Sequence, residues 1–125
     1  MNKLTTLLAL LTACSGCSGT QGVTYGEEIQ LFAEHFCTTL QDPCGYDFAE
    51  NGFTEQECVD VTVHSICDNV NPGACSATLE PHNIVEFSRC RASVDWYANN
   101  HKCESLWTSD LPNACVLVID LREEL

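Results

Sequence analysis

The sequence predicts a small all-α domain stapled by disulfides, with three main helices and a short C-terminal element. Three observations carry this. Apolar residues recur at helical spacing in three separate segments, alternation at period two is nowhere sustained, and ten cysteines fall in 125 residues. That length fits one compact domain. The cysteine density is that of an exported disulfide scaffold rather than of a cytosolic chain.

The first helix is predicted from Ile29, Phe32, Ala33, Phe36, Cys37 and Leu40, which form one apolar stripe over three turns. Glu27 and Glu28 lie in its first turn, where the helix dipole favours negative charge. The second helix opens on Thr54-Glu55-Gln56-Glu57, the pattern of a capping box, and continues through Cys58, Val59, Thr62, Val63, Ile66 and Cys67. It should end before Asn71-Pro72-Gly73. The third runs from near Pro81 to about Asn100, with Ile84, Phe87, Val94 and Ala98 on one side. In the C-terminal element, Ala114, Leu117, Val118, Leu121 and Leu125 have helical spacing, while the β-branched run Val116 to Ile119 also permits a strand.

Residues 1–13 form a targeting segment. Lys3 supplies a positive start, and Leu4 to Leu11 is an apolar run broken only by Thr5 and Thr6, too short for the roughly 20 residues a membrane span needs. The following Leu11-Thr12-Ala13-Cys14 resembles the lipobox of bacterial lipoproteins. The resemblance implies cleavage before Cys14, a diacylglyceryl group on its thiol, and a lipid anchor. Ser15 at the next position, in place of Asp, implies sorting to the outer membrane by likeness to Gram-negative lipoproteins. An ordinary signal peptide, giving a secreted chain, is the competing reading; it lacks the Ala-x-Ala spacing such a cut prefers. Two or three acyl chains anchor stably where one does not. Residues 14–26 then read as the lipidated Cys and a Gly/Ser tether, Ser15 to Gly26, which would span roughly 20 Å. Residues 27–125 are the folded domain.

Helix rise limits the disulfides. Cys58 and Cys67 on one helix would stand about 13 Å apart, beyond the ~7 Å reach of a bridge, and Cys90 and Cys103 fail likewise if the third helix extends to Cys103. Cys67 can meet Cys75 across Pro72-Gly73, and Cys103 can meet Cys115 across Pro112. The order Cys58, Cys67, Cys75 followed by Cys90, Cys103, Cys115 reads as a weak internal repeat. Cys44 with Cys58 and Cys37 with Cys90 complete the preferred set, one of 105 possible connectivities. Cys17 is left as the unpaired candidate.

Catalytic and metal chemistry finds no pattern here. Cys14-Ser15-Gly16-Cys17 has redox spacing but sits at a signal junction, not at a helix start in a β-α-β unit. His35, His64 and His101 lie near cysteines without zinc-ligand spacing, and read as solvated surface residues. Asp47, Asn51 and Gly52 fit part of a calcium loop, yet Ala49 takes its third place and Cys58 the twelfth, where a bidentate Glu belongs. Asp47 to Phe53 is therefore expected to be a turn before a capped helix. No catalytic residue, metal or cofactor beyond the lipid on Cys14 is predicted.

The net charge of −13 opposes binding to nucleic acid, which needs Lys and Arg against phosphates. Trp96, with Val85 on its side of the third helix, is the candidate contact surface. The favoured arrangement has the C-terminal element covering that side. The resulting expectation is an envelope lipoprotein acting as a binding or structural module. Its partners would be the membrane, through the anchor, and a protein or envelope polymer with a basic surface. A small secreted hydrolase or redox enzyme with an unrecognised site is the alternative. The layout resembles that of small cysteine-rich bacterial lipoproteins with no assigned function.

Overall fold

The computed structural model describes residues 22–68, 73–108 and 110–125. Cys14, Cys17 and the segments read as targeting sequence and tether up to residue 21 lie outside these residues, as do Asn71 and Pro72. The described residues form five α-helices: α1 (Tyr25–Gln41), α2 (Glu55–Cys67), α3 (Pro81–Asn99), α4 (Cys103–Trp107) and α5 (Asn113–Asp120). Short 3-10 turns occupy Ala74–Ser76 and Leu121–Glu123. The described residues contain no strand, only an isolated bridge between Thr24 and Thr78.

Helix α1 is the centre of the domain and packs against α2, α3, α4 and the first 3-10 turn, while α5 lies along α3. Its apolar stripe is buried as predicted: Ile29, Phe32, Ala33, Cys37 and Leu40 all belong to the core. Val59 and Ile66 of α2, Phe87, Cys90 and Val94 of α3, Leu106 of α4, and Cys115 and Val118 of α5 close around it. The C-terminal element is helical rather than extended. Helix α4 carries no periodic signal of its own and was not foreseeable from the sequence pattern.

The folded part begins before residue 27, inside the segment assigned to the tether. Thr24 caps α1 with its hydroxyl accepting from the Glu27 amide, and Glu27 returns a carboxylate oxygen to the Thr24 amide. Tyr25 is fully buried. The backbone is anchored by Tyr25 N–H to the Ala77 carbonyl (2.9 Å) and Leu79 N–H to the Val23 carbonyl (2.8 Å). Gly26 belongs to a packing contact, because a Cβ there would stand 2.7 Å from the Cys75 carbonyl oxygen. Glycine content alone does not separate a tether from a close helix approach. The Thr54–Glu57 capping box of α2 is present with both bonds at 3.1 Å.

All eight cysteines from Cys37 to Cys115 are paired, but three of the four expected bridges are replaced. Cys67–Cys75 forms as expected, at a Cα separation of 5.7 Å. The others are Cys37–Cys58, Cys44–Cys103 and Cys90–Cys115, in place of Cys37–Cys90, Cys44–Cys58 and Cys103–Cys115. The cause is which neighbour each helix face meets. Cys37 turns toward α2, Cys90 faces α5, and α4 starts beside the chain leaving α1, which brings Cys103 to Cys44. The apparent repeat of cysteine order is not reproduced in the pairing. Cys58 does not bridge Cys67, in line with the helix-rise argument; Cys103 lies on α4, beyond the end of α3 at Asn99, so that argument does not apply to Cys90 and Cys103.

Candidate functional site

A cleft lined largely by aromatic side chains lies between the end of α1, the start of α2 and α4. It is built by the chain that leaves α1. The amides of Cys44, Gly45 and Tyr46 return to the carbonyls of Thr39, Gln41 and Leu40, and Gly45 takes a φ of 76° that makes this reversal possible. Tyr46 is thereby turned back against the domain. The next residues form a tight turn: the Phe48 carbonyl accepts from the amides of Asn51 and Phe53, and the Asp47 carboxylate accepts from the Glu50 amide at 3.1 Å. Asn51 Nδ2 donates to the Asp47 carbonyl at 2.8 Å. Asp47 and Asn51 thus bond to their own turn, which is the turn before a capped helix read from the sequence.

This turn stacks Phe48 on Phe53 at 5.0 Å between ring centroids, with Tyr46 edge-on to Phe48 at 5.3 Å. Trp107 joins at 5.8 Å from Tyr46. The Cys44–Cys103 bridge explains that contact, since it holds α4 against the turn. Phe36, Leu40, Tyr46, Phe48, Phe53, Cys58, Leu106 and Trp107 line a cavity of about 210 Å³. A second groove of about 370 Å³ adjoins it through Phe53 and Cys58 and is walled by Glu57, Val61 and Thr62. Phe48 is buried, whereas Trp107 is 44% and Val61 67% exposed.

In the sequence Phe36 is read only as part of the stripe of the first helix and Phe53 only as the end of a turn, and none of these aromatics is assigned to a site. The run from Asp42 to Phe53 has neither helical nor alternating periodicity, and its link to Trp107 depends on a disulfide between cysteines 59 positions apart. Aromatic density around a Gly-containing turn was the one usable signal.

The sequence-derived contact residues lie elsewhere. Trp96 is 53% and Val85 50% exposed. They stand about 16 Å apart along α3 by helix rise, so they do not form one compact patch. The C-terminal element does not cover Trp96, contrary to expectation, because the Cys90–Cys115 bridge and buried Val118 draw α5 to the Phe87/Cys90/Val94 face. Lys102 occupies Trp96's side instead, its ammonium 5.8 Å from the Trp96 ring and 5.7 Å from the Tyr97 ring.

Two of the four histidines, His35 and His64, pair with carboxylates. His35 Nε2 lies 2.8 Å from Asp95 Oδ1, joining α1 to α3, and His64 contacts Asp68 at the end of α2. No group of three His, Cys, Asp or Glu side chains able to hold a metal occurs among the described residues. Inside the domain, Glu28 is buried against Arg91 at 2.9 Å, and burial pushes the Tyr25 phenol well above its ordinary pKa.

The described residues thus form a disulfide-stapled helical domain with an aromatic cleft. Comparison with protein-family models, with curated proteins and with solved structures finds no match.

Proposed function

We propose that this protein is a lipid-anchored, disulfide-stapled module of the bacterial envelope, held in the outer membrane through Cys14, that acts by binding a partner with a basic surface. The observation that carries this reading is the pairing of all eight cysteines between Cys37 and Cys115. Such pairing suits an oxidising compartment reached by export, in agreement with the apolar leader and the lipobox-like Leu11-Thr12-Ala13-Cys14. It also leaves those thiols for architecture rather than reaction. No described helix is long and apolar enough to cross a membrane, so attachment is assigned to the lipid. The acidic surface and the preformed cleft support contact with a cationic partner.

The test follows processing and acylation of the full-length precursor in a Gram-negative host supplied with labelled palmitate. The mature protein should carry label and sediment with the outer membrane, and globomycin should block its maturation. Cys14→Ala should abolish the label. Normal maturation in the presence of globomycin would overturn the reading.

A further inference from the structure

We infer that the aromatic cleft docks a basic peptide segment of a partner protein, with an apolar side chain seated in the cavity and flanking Lys or Arg side chains among the carboxylates around it. This rests on the reading above only in taking the protein to act by contact.

The shape argues for a chain rather than a compact molecule. The 210 Å³ cavity is modest for a small-molecule site, and the 370 Å³ groove continues from it past Phe53 and Cys58. Two adjoining depressions suit an extended segment that places one side chain in each. Ring faces at Tyr46 and Trp107 favour an aromatic or aliphatic insert, and equally the guanidinium of an adjacent Arg.

The charge of the rim selects the partner. Asp60 borders the adjoining depression with Val61, and Asp47, Glu50 and Glu55 lie in the same stretch of the chain. Glu57 lines the groove itself. None of these five carboxylates is in an ion pair among the described residues. No Lys or Arg occurs between Lys3 and Arg89 in the sequence. The later bases are engaged elsewhere: Arg89 with Glu86, Arg91 with Glu28, Lys102 over Trp96 and Tyr97, and Arg122 on the Ser65 and Ile66 carbonyls. A second copy of this chain would bring like charge to the same face, which disfavours self-association there.

The site is also preorganised. Cys37–Cys58 and Cys44–Cys103 tie its walls together, so a docking segment orders few protein groups on arrival.

The experiment uses the exported, oxidised full-length lipoprotein in non-ionic detergent, titrated calorimetrically with three pentapeptides: Arg-Phe-Arg-Phe-Arg, Arg-Ser-Arg-Ser-Arg and Glu-Phe-Glu-Phe-Glu. The first should bind, about tenfold or more tightly than either of the others. Trp107 emission, read in a Trp96→Phe background, should shift on binding. Trp107→Ala should weaken binding about tenfold, and Trp96→Ala should leave it unchanged. The pair Glu57→Gln and Asp60→Asn keeps the hydrogen-bond acceptors while removing two charges, so it tests the rim even if Trp107→Ala misfolds. It should weaken binding several-fold at low salt, with the difference shrinking at high salt. Equal affinity for all three peptides, absence of binding by Arg-Phe-Arg-Phe-Arg, or loss with Trp96→Ala alone would overturn the proposal. The two failures are separable: peptide binding does not depend on acylation of Cys14, and palmitate labelling does not depend on the cleft.

Discussion

The Tyr25 hydroxyl donates to the Val118 carbonyl at 2.7 Å, tying the first residue of α1 to the last turn of α5 across 93 positions of chain. The same oxygen lies 3.0 Å from the Ile119 carbonyl, and the ring meets Phe87 edge-on at 5.6 Å. One phenol therefore joins three helices.

Tyr25→Phe keeps the ring but removes the donor to the Val118 carbonyl, while the Ile119 carbonyl keeps the Leu121 amide. A loss of about 1–2 kcal/mol is expected in urea unfolding. Burial raises the Tyr25 pKa in the folded state, so the unfolded chain releases this proton first. Its contribution is complete below the ordinary value of 10.0 and declines as pH rises above it. The alkaline fall in stability should be shallower in Tyr25→Phe than in the wild type.

Gly26→Ala tests whether this residue belongs to the fold or to a tether. Alanine is the better helix former by about 1 kcal/mol. Its Cβ, however, would meet the Cys75 carbonyl oxygen at 2.7 Å and Cys75 Cβ at 3.2 Å. The overlap should dominate, lowering the urea midpoint by the equivalent of about 1 kcal/mol. A raised midpoint would place residue 26 outside the packed structure.

Glu28 and Arg91 link α1 to α3 in a largely buried pair. Arg91→Met strands a carboxylate that is 4% exposed, and should cost about 3 kcal/mol. Adding Glu28→Gln should recover most of that loss, since the uncompensated charge is gone. Thermal melts of both variants decide the matter.

The bridges should contribute unequally. Cys44–Cys103 closes a separation of 59 and Cys67–Cys75 one of 8. Chain entropy assigns about 4 kcal/mol to the first and about 2.5 kcal/mol to the second. Replacing each pair by serines should lower stability in that order. Loss of Cys44–Cys103 should also release α4, seen as a change in Trp107 emission.

Helix existence was legible in the chain because it depends on local chemistry. The stripe from Ile29 to Leu40, the Thr54–Glu57 box and Pro81 at a helix start each act within one or two turns, and each appears where expected. The Asp47–Phe53 turn is equally local. The start of α1 was misplaced because Gly26 resembles linker until Cys75 is brought against it.

Cysteine density, charge and helical period are properties of composition and short-range spacing, and they suffice for an oxidised, acidic, all-helical domain. Which cysteine meets which is a question of helix rotation and neighbour choice, settled only when α4 comes to rest beside the end of α1. The cleft has the same origin. Tyr46 and Trp107 share no local pattern, and their rings meet because Cys44 and Cys103 are joined and the surrounding helices bury one common core. Long-range burial has no period to read, which is why the candidate site emerged from packing rather than from the order of residues.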